Sequence, residues 1–144
     1  MGKQATKGTP REPEVPEKEH YERLSSFRWQ LRRFLRFSED ACREEGVTML
    51  HYQLLLHTQG FAGRDWASIG ELADRLQAQP HGVVALVTRC EQSGLVERRA
   101  SARDGRLVEV HLTVAGRRCL RRLAQKHREE LASLAAVVDA ASDL

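Results

Sequence analysis

Cysteine is scarce in this chain, and its placement suits neither cross-linking nor metal binding. The 144 residues hold three cysteines, Cys42, Cys90 and Cys119, an odd number set far apart. That excludes a disulfide framework and the paired spacing of a zinc site. Proline is nearly confined to one end, since three of the four, Pro10, Pro13 and Pro16, fall in residues 1–18. No apolar run approaches the roughly 20 residues of a membrane-spanning helix, and the first residues lack the apolar stretch of a signal peptide. The expectation is a cytoplasmic protein with no membrane partner. Also missing are a phosphate-cradling glycine-rich loop, an H-E-x-x-H pair and a C-x-x-C pair. The six histidines are scattered, and His51 and His57 stand six apart where a helical metal pair needs four. No metal, no cofactor and no catalytic centre is expected.

What is present fits one globular domain with a highly charged surface, at 41% hydrophobic and 30% charged residues. The net charge of +3 is too small to indicate a partner, but its distribution is uneven. Between Arg98 and Arg122 there are eight arginines and two acids, Asp104 and Glu109. Such a stretch either neutralises phosphates or forms a solvated arginine-rich face.

The chain divides by pattern. Residues 1–18, with prolines among lysines and glutamates and almost no apolar side chain, cannot repay the entropy of ordering and are expected to be a disordered tail. From 19 to 45 the pattern is helical, with Leu24, Phe27, Leu31, Phe34 and Leu35 at three- and four-residue spacing and Ser38 and Ala41 continuing the stripe. Gly46 ends that helix and Thr48 caps the next. There Met49, Leu50, Tyr52, Leu54, Leu55 and Leu56 are apolar nearly all round, which places the helix in the interior. Gly60 and Gly63 bracket a loop, and Trp66 begins a short extended segment. Ser68 and Glu71 then form a capping box before Ile69, Leu72, Ala73 and Leu76. Gln79-Pro80 opens another helix, since proline suits the first helical position. Its stripe is Val83, Leu86, Val87 and Cys90, and Gly94 ends it.

Two helices joined this tightly read as a helix-turn-helix. Residues 95–99 can be a strand, and Val108, Val110 and Leu112 alternate with Glu109 and His111 as a half-buried strand does. The loop between them carries the turn signal Asp104-Gly105 and several arginines. A basic-tipped hairpin after a helix-turn-helix is a winged helix, a DNA-binding module. Thr113 caps a last helix whose stripe is Leu120, Leu123, His127, Leu131, Leu134, Val138 and Ala141.

The expected fold is therefore mainly α with a small β-hairpin wing. A winged helix-turn-helix lobe at 48–112 is flanked by long helices at 19–45 and 113–141, within a single domain at 19–144. The flanking stripes exceed what so small a lobe can cover, so a homodimer built on both helices is expected. The alternative is that both fold back onto their own lobe.

Asp104-Gly105-Arg106, followed by Val108, Val110, Leu112-Thr113 and Gly116, resembles the D-x-R…L-T-x-x-G pattern of the MarR (multiple antibiotic resistance regulator) family. Glu91-Gln92-Ser93-Gly94-Leu95-Val96 resembles the E-x-x-G-L-V end of that family's recognition helix, and Leu72-Ala73 with Leu76 fits the helix before it. The resemblance extends from about Leu24 to Leu134. It implies a dimeric winged-helix transcriptional regulator, usually a repressor, reading a palindromic operator. It also implies that Arg106 enters a minor groove with Asp104 holding the arginine side chain. A small effector, often aromatic or phenolic, is implied in a cleft between the dimer helices and the lobe.

Side-chain chemistry supplies the candidate contacts with double-stranded DNA. Gln79, His81, Gly82, Val84, Ala85 and Thr88 occupy the outer side of the second helix of the motif. Gln79 suits an adenine edge, His81 a guanine acceptor or a phosphate, and Val84 and Ala85 a thymine methyl. Similar proteins usually carry Ser, Thr or Arg at several of these positions, so Gly82, Val84 and Ala85 shift weight onto the wing and onto DNA shape. Arg106, with Arg103 as a second contact, suits the narrow groove of A·T-rich tracts. Asp104 is equally explained as a turn residue. Arg98 and Arg99 either reach phosphates or pair with nearby acids.

For an effector, Trp29, Arg32 and Arg33 with His51, Tyr52 and Trp66 can supply aromatic walls and an anion clamp. Their plainer reading is core aromatics and solvated arginines. Cys42 is the cysteine best placed for an oxidant sensor, which some MarR-like proteins are, although the acids beside it should raise its thiol pKa. Cys90 and Cys119 read as small core residues. In a different class, the winged helix is a protein-interaction module with an incidental basic wing.

Overall fold

The structure is a computed structural model that describes residues 13–141. Its elements follow the sequence pattern closely. Helix α1 (Lys18–Glu44) starts one residue before the expected point, behind a capping pair in which the Glu17 amide donates to His20 Nδ1 at 3.0 Å. Residues 1–12 of the expected tail lie outside the described residues. Helix α2 (Met49–Gln59) begins where Thr48 Oγ1 accepts the His51 amide at 3.1 Å, which satisfies a first-turn donor. Strand β1 (Trp66–Ser68) leads into α3 (Ile69–Leu76), whose capping box is complete. There the Glu71 amide donates to Ser68 Oγ at 3.2 Å, and the Ser68 amide donates to Glu71 Oε1 at 2.9 Å. Helix α4 (Pro80–Gln92) follows with Pro80 in its first turn. Strands β2 (Val96–Ala100) and β3 (Val108–Leu112) form the wing, and α5 (Val114–Ala141) closes the chain.

The turn between α3 and α4 is made without glycine. Gln77 adopts a left-handed conformation (φ 51°), and the Ala78 amide donates back to the Ala73 carbonyl at 3.0 Å. Its side chain helps hold the bend, with Nε2 donating to the Asp74 carbonyl at 2.6 Å.

The sheet has the order β1-β3-β2, all antiparallel, with Ala67 opposite Val110 on one side and Arg98 opposite Val110 on the other. β2 is therefore an edge strand. The core lies where α2, α3, α4 and the sheet meet: Leu54, Leu55, Leu72, Val83, Val87, Val96 and Val110 are almost fully enclosed. The stripe expected on α4 is buried residue for residue. The expectation for α2 needs correcting, because Leu50 and Leu56 point outward and only Tyr52, Leu54, Leu55 and Thr58 are enclosed.

The long helices are covered for half their length. Ser38, Ala41 and Cys42 near the end of α1 pack against Cys119, Leu120, Leu123 and His127 near the start of α5. Arg122 Nε donates to Glu45 Oε2 at 2.7 Å, and Lys126 Nζ reaches Glu44 and Glu45 at 3.1 Å each. The Arg122 hydrogen bond, then that of Lys126, holds the Glu45 carboxyl below its ordinary range. Beyond this crossing large apolar side chains are exposed: Tyr21, Leu24, Trp29 and Leu35 on α1, and Leu131 on α5.

The lobe and α5 meet at a close backbone contact. A Cβ on Gly116 would lie 2.0 Å from the Leu95 carbonyl oxygen, so only glycine fits. Thr113 Oγ1 donates to the Gly94 carbonyl at 2.6 Å and accepts the Gly116 amide at 3.0 Å, which caps α5 as expected. Among the described residues no helix is long and apolar enough to cross a membrane.

Candidate nucleic-acid interface

Along α4 the buried stripe fixes what faces out. Because Val83, Leu86, Val87 and Cys90 point inward, Gln79, His81, Gly82, Val84 and Ala85 are all exposed along the first turns. A Cβ at Gly82 would meet nothing within 4 Å, so no packing demand inside the chain explains glycine there. Thr88 sits apart from this group. It is half-buried, its hydroxyl donates to the Val84 carbonyl at 3.0 Å, and it accepts from Arg98 at 2.8 Å.

The wing loop is held by its own backbone. The Ser101 amide donates to the Leu107 carbonyl at 3.0 Å, and the Leu107 amide to the Asp104 carbonyl at 2.9 Å. Ser101 Oγ accepts the Arg103 and Asp104 amides at 3.3 Å each. Asp104 Oδ1 accepts the main-chain amide of Arg106 at 3.0 Å. The acid thus organises the turn, as the plainer reading had it, and its recorded bond is to the Arg106 backbone rather than to the side chain that the resemblance implied. The guanidinium groups of Arg103 and Arg106 make no hydrogen bond or ion pair with any described residue.

The arginine-rich stretch separates into two kinds. Arg98, Arg99, Arg117 and Arg122 are engaged: Arg98 with Glu91, Arg99 with Glu97, Arg117 with the Leu112 carbonyl and Arg122 with Glu45. Arg103, Arg106, Arg118 and Arg121 have no partner among the described residues. Of the two roles left open for Arg98 and Arg99, the structure takes the pairing with nearby acids.

The six residues expected to line an effector pocket do not converge. Tyr52 is enclosed and stacks on His127 at 4.8 Å between ring centroids. Trp66 lies at the sheet edge under the Arg64 guanidinium, 3.7 Å from its ring centroid, with Phe61 at 4.2 Å and an ion pair from Arg64 to Glu71. Trp29 is exposed beside Arg33, and Arg33 faces the groove toward α5 that Phe34, Phe37 and Glu130 line. His51 is partly enclosed on α2, where burial first and Arg89 second hold its pKa below the ordinary range. Three of the six border different clefts: Arg32 one of about 530 Å³ with Arg28, Leu31, Leu35, Arg36, Glu39 and Met49, Trp29 one of about 470 Å³, and Arg33 one of about 410 Å³. The reason is helical geometry: consecutive residues such as Arg32 and Arg33 diverge by about 100° around the axis.

Cys42 is corrected for the same reason. Its sequence neighbours Glu39, Asp40 and Arg43 pair with one another on the outer face, at 3.3 and 3.2 Å, while the thiol turns inward and is 1% exposed. Burial, then Cys119, raises its pKa against the opposing hydrogen bond of Ser38. A reactive sensor needs an accessible, acidified thiol. Cys90, on the core stripe, is pushed up to about 11, mainly by burial.

A buried polar centre escaped the sequence reading. His127, counted there as one member of an apolar stripe, is 2% exposed. Its Nδ1 lies 2.6 Å from the Leu123 carbonyl and its Nε2 lies 2.9 Å from Ser38 Oγ. A carbonyl only accepts, so Nδ1 carries the proton that joins the ring to Leu123. Phe34 and Phe37 meet the ring edge-on at 6.1 and 5.6 Å, so one imidazole joins α1, α2 and α5. The available signal was the match of a small Ser38 on one stripe with a histidine on another.

Comparison with known proteins places this arrangement. The sequence model of the MarR family matches residues 45–107. Similar solved structures include a MarR family protein from Bacillus stearothermophilus, with 21% identity, 84% of this chain and 82% of that one covered and a TM-score of 0.71. AbsC, a MarR family transcriptional regulator from Streptomyces coelicolor, is similar at 20% identity, 85% and 82% coverage and a TM-score of 0.70. The M. tuberculosis transcriptional regulator MOSR in complex with DNA is similar at 23% identity, 78% and 80% coverage and a TM-score of 0.59. At these identities the likeness to solved structures is one of fold. No curated protein matches the chain in sequence.

Proposed function

From a winged-helix lobe of the MarR family at residues 45–107, we propose that this chain is a DNA-binding transcriptional regulator that reads double-stranded DNA as a homodimer. The observation that carries the reading is the pair of unengaged guanidinium groups, Arg103 and Arg106, at the tip of a wing whose strand β2 is tied to α4, the first turns of which are exposed. Phosphates and narrow grooves supply the counter-charge that such a tip lacks among the described residues. Gln79, His81, Gly82, Val84 and Ala85 form the base-reading face, and the open space over Gly82 lets DNA approach the backbone. MOSR, which shares the fold, was solved in complex with DNA.

The exposed apolar residues Leu24 and Leu35 of α1 and Leu131 of α5 support dimerisation through those helices. A two-fold dimer sets two α4 helices roughly one DNA turn, ~34 Å, apart, which fits a palindromic operator. Repression released by an effector completes the proposal. The effector is an organic anion with an apolar body, seated in the cleft of Arg28, Arg32, Arg36, Leu31, Leu35 and Met49. It acts by binding one spacing of the reading heads better than the other.

The test is fluorescence anisotropy with A·T-rich palindromic duplexes across a salt series. The wild type shows a steep salt slope and a sequence preference. Arg106→Ala weakens binding about tenfold, flattens the preference for A·T flanks and reduces the slope by about one. Retention of no duplex by the wild type at moderate salt would overturn the proposal and leave the lobe as a protein-interaction module.

A further inference from the structure

We propose that Glu91, Thr88 and Arg98 form a clasp that sets the wing against α4, and that Arg98 acts on DNA only by positioning Arg106. The inference rests on the DNA-binding reading above.

Arg98 lies on β2, and its guanidinium reaches three places on α4. Nη1 donates to Glu91 Oε1 at 3.1 Å, and Nη2 donates to Thr88 Oγ1 at 2.8 Å and to the Val84 carbonyl at 3.2 Å. Glu91 answers with its second oxygen: Oε2 accepts the Arg98 main-chain amide at 3.1 Å. Both carboxylate oxygens are therefore committed to one residue. That amide points away from β3, off the free edge of the sheet, where no strand could accept it. The Arg98 side chain is 29% exposed, against 56% for Arg99 one residue later.

The chemistry favours positioning over contact. A guanidinium that spends its fork on a carboxylate, a hydroxyl and a carbonyl has few N–H groups left for a phosphate, and its charge is met by Glu91. The three acceptors run along α4 from Val84, in the base-reading face, to Glu91, about two turns on. Two residues after Arg98 the strand ends, and the loop carrying Arg103 and Arg106 begins. Among the described residues that loop is otherwise hydrogen-bonded only within its own turn. The clasp is thus the last cross-connection between the base-reading face and the wing tip. Its geometry decides whether both can engage one duplex.

The two readings of Arg98 predict opposite signs for one substitution. If Arg98 contacted phosphate, Glu91→Gln would remove a competing acid and tighten binding to every duplex. As a clasp, Glu91→Gln weakens binding to an A·T-flanked palindrome about 3- to 10-fold and lowers the salt slope by no more than the step of about one seen with Arg106→Ala, because the Arg106 contact is loosened. Thr88→Val, nearly isosteric, weakens it in the same sense. Arg98→Lys keeps the charge but not the fork and fails to restore affinity.

A double-mutant cycle gives a readout that a loss of stability alone would not move. In the Glu91→Gln background, Arg106→Ala costs less than half of its effect in the wild type, as coupled residues do. Circular dichroism and thermal melting of each variant confirm that the fold is retained. Tighter or unchanged binding by Glu91→Gln, or strictly additive effects with Arg106→Ala, would overturn the clasp while leaving the regulator reading intact. Absence of DNA binding by the wild type would remove both.

Discussion

The lobe and the helical frame solve the burial problem differently. In the lobe almost every large apolar side chain of α3 and α4 has somewhere to go: Leu72, Val83 and Val87 are at most 1% exposed. In the frame, the same kind of stripe is enclosed only around the crossing of α1 and α5. Past it, Leu24, Leu131 and Val138 are 43–53% exposed. The lobe has the burial of a finished core, whereas the outer halves of the frame helices leave an apolar face that a second copy can cover.

The largest effect is expected where the two regions join. Gly116→Ala drives a methyl into the Leu95 carbonyl and should cost about 4 kcal/mol or more, an exceptional value for one carbon. Urea unfolding measures it, and a loss below 1 kcal/mol would show that α5 is free to step away. Next comes a matched pair. Leu72→Ala should cost about 2–5 kcal/mol as a core cavity, whereas Leu131→Ala should leave monomer stability within about 0.5 kcal/mol. Leu131→Asp should instead convert dimers to monomers in sedimentation at micromolar concentration. Dimers that persist in Leu131→Asp would place the interface elsewhere.

A smaller effect probes the enclosed part of the frame. His127→Phe keeps the ring stacking but removes the hydrogen bond between the ring and the Ser38 hydroxyl and costs about 1–3 kcal/mol. Ser38→Ala in the same background should recover part of it, and no recovery would mean that the hydroxyl has another partner.

The smallest effect is one of pH on α2. His51 and His57 are both held below the ordinary histidine range, by burial first and then by Arg89 and Arg75 respectively. Below that range the unfolded chain binds more protons than the folded one. Their contribution is therefore whole above the ordinary value of 6.5 and lost as pH falls through the depressed folded values. The melting temperature should drop between about pH 7.5 and about pH 5, less steeply in His57→Gln. A rise on acidification would show that the groups are protonated in the fold.

How much of this was readable in advance depended on the range of the interaction. The capping box of Ser68 and Glu71, the Thr48 and Thr113 caps and the buried stripe of α4 all operate within a few residues, so spacing located them. The apolar count of α2 suggested complete burial, yet Leu50 and Leu56 face outward because one side of that helix has no neighbour. The effector residues failed as a set because convergence is a tertiary property: Trp66 and Trp29 are similar in type but lie on a sheet edge and on a helix flank. Cys42 looked charged because its sequence neighbours are, although a helix turns them to another side. The Arg98 clasp and the His127 centre bridge 7 to 89 residues, and no local pattern marks such pairs.

The fit of Gly116 against Leu95 has a mechanical consequence. With no side chain between them, the start of α5 and the root of the wing share one rigid joint, and the helix beyond is an arm. Its 28 residues rise about 42 Å. A tilt of about 5° at that joint sweeps the far end by about 4 Å. Conversely, a push of a few ångströms far out along the arm rotates the wing root by only a few degrees, so coarse displacements at one end become fine adjustments of aim at the other.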